Sequence, residues 1–256
     1  MYKYIKLNIE YRKATLSLNR PLIHNAFHEN MILEIINAID IVNKSPSVVV
    51  LILRGEGKSF CAGADLNWMK SVIDYSHLQN VEESNRLSAC FYALYTCKKV
   101  TIAIVHGAAI GGANGLLATC DIVIADNDTV FSLSEVKIGI VPACISPYII
   151  KRVGEFKARE LMLSGVRFTG EMAMSYGLVT QSVAKDKIDD TLNRYLLMFS
   201  TSGPKAMEMC KSLIYEVSNN LNVEESMSYT AEIIAYIRHS KEGQETGHVF
   251  QQDTVP

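Results

Sequence analysis

The residues able to do chemistry gather in one stretch, 100–141, reading VTIAIVHGAAIGGANGLLATCDIVIADNDTVFSLSEVKIGIV. Four glycines, Gly107, Gly111, Gly112 and Gly115, punctuate it, and a lone acidic residue, Glu135, stands in the largely apolar approach to Pro142. Glycine lets the backbone take positive φ and come close to a ligand. A helix opening at Gly112 and running through Leu116, Leu117 and Cys120 would aim unpaired N–H groups at whatever binds there, which suits an anion or a developing oxyanion. A second cluster of small residues, Ala62, Gly63 and Ala64, lies in RGEGKSFCAGADLNWMK, directly beyond an apolar run at 48–53. Uncovered main-chain N–H groups are what a preorganised oxyanion hole requires, and two such loops could face one ligand atom. A carboxylate set among Val136, Ile138 and Val141 is expected to have a raised pKa, which suits proton transfer near neutral pH.

These loops need elements to hold them. Residues 102–105 form a short β-branched run, as in a strand buried on both faces. Residues 4–9 and 13–18 predict a hairpin, and Pro21 predicts a loop over 19–25. Asn25 or His28 would then cap a helix in which Met31, Ile35, Ile36, Ile39 and Val42 recur at helical spacing. Residues 67–97 read as helical, 122–132 as a strand followed by a hairpin, 144–153 and 157–164 as two helices, and 168–183 as turn, helix and final strand. Beyond Asp186 strands disappear, and 188–199, 204–218 and 223–238 carry successive helical stripes. The expectation is an α/β core over 1–190 and a helical subdomain over 191–256.

Composition narrows the classes. With 256 residues, 48% hydrophobic and 20% charged, the chain can bury a large core, and a net charge of −2 without a basic run gives no case for nucleic acid or an anionic membrane. No apolar run approaches the ~20 residues a membrane span needs, and the N-terminus alternates like a strand, so the expected location is cytoplasmic. Cysteines 61, 90, 97, 120, 144 and 210 contain no C-x-x-C pair and read as reduced core thiols, with no metal site. The glycine spacing is not the dinucleotide fingerprint, and no G-x-S-x-G elbow frames Ser132 or Ser134. His106, Trp68 and Met69 read as packing residues and Asp121 as a helix-end anchor. Asn114 faces about 100° away from Gly115 on a helix.

In order along the chain, LNRP...NAF (18–27), RGEGKSFCAGADLNWM (54–69), HGAAIGGANGLLATCDIVIA (106–125), FSLSEVKIGIVP (131–142) and GEMAMSYGLV (170–179) resemble the enoyl-CoA hydratase/isomerase, or crotonase, superfamily. The AGADLNWM and SEVKIGIVPACISPY wording looks most like bacterial 3-methylglutaconyl-CoA hydratase-type members. The resemblance implies a ClpP-like spiral of β-β-α units followed by helices that trimerise, often as a dimer of trimers. It implies that the N–H groups of Ala64 and Gly112 bind the thioester oxygen of an acyl-CoA, with Glu135 as acid/base. Ala26, Ala62, Gly63, Asp65, Leu66, Gly111, Gly115 and Pro142 would contact substrate, with Ala62, Asp65 and Leu66 on the adenine and ribose side. Coenzyme A enters as part of the substrate and no resident cofactor is implied.

One departure from the family pattern stands out. The best-known hydratases carry a glutamate a few residues after the oxyanion glycine, and here that position is Gly115. The remaining Glu135 could hydrate a 2-enoyl-CoA or shift a double bond. The subgroup wording favours hydration of a branched substrate, with Gly115 leaving room for a larger acyl chain or a water. A non-catalytic acyl-CoA scaffold is the reading from another class. The closing segment lacks the basic residue often found after the phenylalanine, although Phe250 could still pack over the ligand.

Overall fold

Strands form where alternate side chains can be buried on opposite faces. In the computed structural model, which describes residues 2–245, β1 (Ile5–Glu10) and β2 (Lys13–Leu18) make the expected hairpin. β2 pairs in parallel with β3 (Val50–Gly55), and β3 with β4 (Val100–Val105). After a short β5 (Ala108–Ile110), the ladder continues to β6 (Ile122–Asp126), which lies parallel to β4 and, on its far side, to the last strand of the sheet at Gln181–Val183. Leu51, Leu53, Ala103 and Val105 face the main core; Val50, Ile52, Ile102 and Ile104 face the other side. With both faces covered, these strands read as continuous apolar runs.

One expectation fails at residues 122–132. β7 (Val130–Ser132) does not fold back on β6. It pairs in parallel with β5 and antiparallel with β8 (Arg167–Phe168), making a second, three-stranded sheet. The Asn127 N–H is tied to Val183 and the Val130 N–H to the Gly107 carbonyl, so the chain is handed from the large sheet to the small one. The element at Gln181–Val183 is therefore β9.

Helix α1 (Glu29–Lys44) is capped by His28, whose Nδ1 accepts from the Met31 N–H at 3.2 Å, and it buries Met31, Ile32, Ile35, Ala38, Ile39 and Val42. The stretch expected to be helical over 67–97 is two helices, α2 (Leu66–Ser71) and α3 (His77–Tyr95), because Ser76 and Gln79 form a capping box that restarts the chain. All six residues of α4 (Ala113–Ala118) are buried. α5 (Ser146–Ser164) is bent at Gly154, and α6 (Gly170–Ser175) leads into β9.

Among the described residues three helices follow: α7 (Ile188–Ser200), α8 (Pro204–Asn219) and α9 (Val223–His239). Ile188 and Leu192 of α7 pack on Val50, Ile52 and Ile102 of the large sheet. α8 and α9 bury no residue fully and leave Ile214, Met227 and Tyr236 exposed. Asp121, in the turn between α4 and β6, is tied to β4 and α8 and not to the helix it follows: its Oδ2 accepts from the Thr101 N–H and hydroxyl and from Lys211 of α8, the last at 2.7 Å. The six cysteines are free thiols; burial pushes those of Cys61, Cys90 and Cys120 up to about 12. Among the described residues no helix is long and apolar enough to cross a membrane. Phe250 lies outside the described residues.

Candidate active site

The strip 61–65 is held between two other segments. On one side Cys61 pairs with Ala109: its N–H donates to Ala108 at 3.0 Å and its carbonyl accepts from Ile110 at 3.1 Å. On the other, Ala62 donates to His24, and Phe27 bonds both Gly63 and Asp65, at 2.9 and 2.8 Å. The carbonyl of the 63–64 peptide therefore faces Phe27. Among the described residues no peptide is cis, so the N–H of the same unit, that of Ala64, points the opposite way, toward the β5 side. Gly63 sits there at φ 90°, and a Cβ on it would come within 2.6 Å of the Ile110 carbonyl. Only glycine fits that close approach.

Beyond Ile110 the two segments diverge. Gly111, at φ 56°, turns the chain into α4, and its carbonyl accepts the Asn114 N–H at 2.9 Å. The N–H of that same peptide, belonging to Gly112, points away from α4. Among the described residues neither the Ala64 nor the Gly112 N–H has a hydrogen-bond partner, and both residues are only half-buried. The fork between the two strips thus carries two free donors. The ring of Phe27 closes one wall: a Cβ on Gly112 would lie 2.7 Å from its Cζ, and Trp68 stands edge-on to Phe27 at 6.1 Å.

Glu135 opens a short 3-10 turn just after β7. Its Oε1 lies 3.2 Å from where a Gly111 Cβ would be, so the carboxyl rests against the glycine turn. Its Oε2 is buried without a hydrogen-bond partner among the described residues. Burial raises the pKa, as expected. Of the apolar residues that follow, Val136 is half-buried, while Ile138 and Val141 are 60% and 69% exposed.

The other predicted contacts divide. Ala62, Gly63, Gly111 and Gly112 meet at the fork, and Ala26 adjoins it through Phe27. Leu66 is 71% exposed beside them, at the start of α2. Asp65 is turned inward: Oδ2 accepts from Arg20 at 2.8 Å and Oδ1 from the Asn67 N–H at 2.8 Å, capping α2. Burial alone would raise its pKa, but these donors overcome that and hold it below the ordinary carboxylate range. Pro142 is buried at the turn into α5, where its carbonyl accepts the Ser146 N–H.

Gly115 corrects the expectation of spare room. A Cβ there would collide with the Ile145 Cγ2 and lie 2.8 Å from the Phe91 ring. The position where a first glutamate would act is filled by two apolar side chains. Phe91 and Ile145 lay in unremarkable apolar segments and gave no signal; Arg20, in LNRP, was visible as a charge but not as the partner of Asp65.

This architecture is the crotonase fold. The chain belongs to the enoyl-CoA hydratase/isomerase family, whose model matches residues 11–254. It is 32% identical over 238 residues to the peroxisomal Delta(3,5)-Delta(2,4)-dienoyl-CoA isomerase of Arabidopsis thaliana, covering 89% of this chain and 85% of that protein. An enoyl-CoA hydratase structure from Shewanella pealeana matches with TM-score 0.93 at 34% identity, covering 99% of this chain and 95% of that one. Pseudomonas aeruginosa AtuE matches with TM-score 0.94 at 28% identity, covering 99% and 98%. The activity is accordingly of the hydratase/isomerase type on acyl-CoA.

Proposed function

We propose that this enzyme moves a double bond in an enoyl-CoA thioester, converting a 3-enoyl to a 2-enoyl chain. The Ala64 and Gly112 N–H groups hold the thioester oxygen. Glu135 removes a proton from the α-carbon, the negative charge collects on the held oxygen, and the same carboxyl returns the proton at the γ-carbon as the double bond shifts. One carboxylate suffices and no water enters. The observation that carries this reading is the plug at Gly115, where Phe91 and Ile145 occupy the place of the glutamate that would help to hold water. A donor preorganised for the oxyanion is typically worth about 3 kcal/mol of barrier, and a buried carboxyl with a raised pKa is matched to proton transfer near neutrality.

Ala26, Ala62, Gly63 and Leu66 line the approach for coenzyme A, which arrives with the substrate. Asp65 acts there as a brace. Pro142 shapes the turn behind Glu135. The exposed apolar residues of α8 and α9 form a trimer contact, with a hexamer of two trimers as the larger assembly.

Hydration of a 2-enoyl-CoA is the second reading, favoured by the similarity to the Shewanella pealeana hydratase, and the AGADLNWM wording alone suggests a branched, 3-methylglutaconyl-like chain for it. There Glu135 would take a proton from water as its oxygen adds to C3 and return one to C2. Incubation with 3-hexenoyl-CoA, crotonyl-CoA and 3-methylglutaconyl-CoA in D2O, with products identified by mass spectrometry, separates the cases. An isomerised 2-enoyl product without added water is expected. Water addition to the 2-enoyl substrates at a higher kcat/KM would replace this reading by hydration. Binding of all three without turnover would make the protein a scaffold.

A further inference from the structure

Asn114 is completely buried on α4, next to the plugged Gly115. Its Nδ2 donates to three carbonyls, those of Ser132 at 2.9 Å, Gly111 at 3.0 Å and Ala109 at 3.2 Å. Its Oδ1 is buried and has no partner among the described residues. The amide orientation follows from the chemistry, since turning it over would set Oδ1 against three carbonyl oxygens. A desolvated carbonyl without a donor is a standing cost. An apolar side chain of the same size would avoid it, so the contribution of this asparagine lies in what its NH2 holds.

What it holds is the peptide unit whose other end is the Gly112 N–H. The Gly111 carbonyl accepts from both the Asn114 side chain and the Asn114 main chain. Two donors on one end fix the plane of that peptide and polarise it, which strengthens the N–H at the other end as a donor. The same NH2 reaches the Ser132 carbonyl, which also accepts the Gly111 N–H at 2.8 Å. Ser132 ends β7, three residues before Glu135. One side chain therefore spans the donor turn and the strand that delivers the carboxyl.

We infer that Asn114 is a positioning residue that orients and polarises the Gly112 N–H and keeps it in register with Glu135. This rests on the proposed role of Gly112 as a thioester donor. The test compares the parent with Asn114→Leu, near in volume, and with Thr119→Val, which removes a buried hydroxyl on the same short segment without touching the turn. Turnover and acyl-CoA affinity are measured on each. The thioester carbonyl stretch of bound 13C-labelled crotonyl-CoA is recorded in a Glu135→Gln background, so that bound thioester is read without turnover. Asn114→Leu is expected to lower kcat by tenfold or more, leave affinity within threefold, and move the carbonyl band back toward its free position. Thr119→Val is expected to change none of the three.

A kcat within threefold of the parent with an unmoved band, or equal losses of kcat and affinity, overturns the inference. Should the leucine variant not fold, Asn114→Ala is measured by the same criteria. The infrared readout needs binding and not turnover, so a parent that binds thioester with a shifted band but turns nothing over defeats the proposed reaction alone. A parent band identical to that of free thioester defeats both.

Discussion

The two free amides of the site are held by different physics. The Gly112 peptide is fixed from within, by the wholly buried Asn114 and by α4, whose residues are all buried. The Ala64 peptide is fixed from its flanks, by main-chain bonds to Phe27 and by the cap that Asp65, paired to Arg20, places on α2. The first arrangement uses neutral groups, while the second depends on an ion pair whose side chains are 17% and 10% exposed. Ionic strength and pH should therefore reach the Ala64 side and leave the Gly112 side alone. Between them Glu135 has the least support, with one oxygen against Gly111 and the other unpartnered. The proposed acid/base is thus the least tethered member of the frame, in keeping with the stability that functional sites commonly give up.

The largest effect should come from that member. Glu135→Gln is expected to lower kcat by about 10²–10⁴-fold with acyl-CoA affinity retained, as for loss of a general acid/base. The same change should raise Tm at pH 7. Burial lifts the folded-state pKa of Glu135, so its stabilising influence is present below the unfolded value, near 4.3, and is lost as pH rises through the raised one. The thermal advantage of the glutamine variant should accordingly vanish in acid. A Gln variant that stays active, or that melts lower than the parent at neutral pH, would remove Glu135 from the mechanism or from its buried setting.

Next in size is deletion of one donor. Gly112→Pro removes the N–H at a position whose φ of −54° a proline can adopt, and kcat should fall by about 10²–10³-fold. Its ring would also press on Phe27, so Gly112→Ala is the control: it keeps the N–H and meets the same ring 2.7 Å away. The alanine variant should lose much less in kcat than the proline variant. Equal losses would assign the effect to Phe27 instead of the donor. Gly115→Ala, where the added Cβ meets Ile145 and Phe91, should destabilise by about 1–3 kcal/mol as overpacking, measured by chemical denaturation. A neutral result there would mean the plug yields and the room expected at Gly115 can be made.

How much of this was legible in the sequence follows from how local each cause is. The large sheet was readable because its strands are buried on both faces and announce themselves as apolar runs, and the helices after residue 186 because their stripes are periodic. Ala62 to Ala64 and Gly111–Gly112 were readable as uncovered backbone, since glycine and alanine have few other reasons to cluster beyond strands. The departure of β7 to a second sheet was not, because it depends on Val130 bonding to Gly107, 23 residues earlier in the chain. Nor was the plug: Gly115 looked like empty space, and whether a glycine leaves a void or admits a neighbour depends on Phe91 and Ile145, from α3 and the turn into α5. Asn114 is expected from helix geometry to point away from Gly115. It does, and its importance lies in the carbonyls it reaches there.

The smallest effect sharpens the contrast between the two donors most directly. Asp65→Asn keeps the size of the side chain and removes its charge, leaving the Arg20 guanidinium poorly paired. Loss of a charge-assisted hydrogen bond of this kind costs about 1.5–3 kcal/mol. The folded-state pKa of Asp65 is lowered, so the stability it contributes is present above the unfolded value, near 3.9, and is lost as pH falls through the folded one. The difference in unfolding free energy between parent and variant should thus be level from neutrality to about pH 5 and shrink below it. Activity should decline earlier on the same acid scale, because Glu135 protonates at a higher pH, so the enzyme passes through a folded but inactive interval. Above that interval, added salt should lower the kcat of the parent slightly through the Ala64 side and leave the ratio of parent to Asn114→Leu rates unchanged. A difference curve that grows toward acid, or a salt effect confined to the Asn114 variant, would mean that the assignment of the ion pair to one donor and the neutral clamp to the other is reversed.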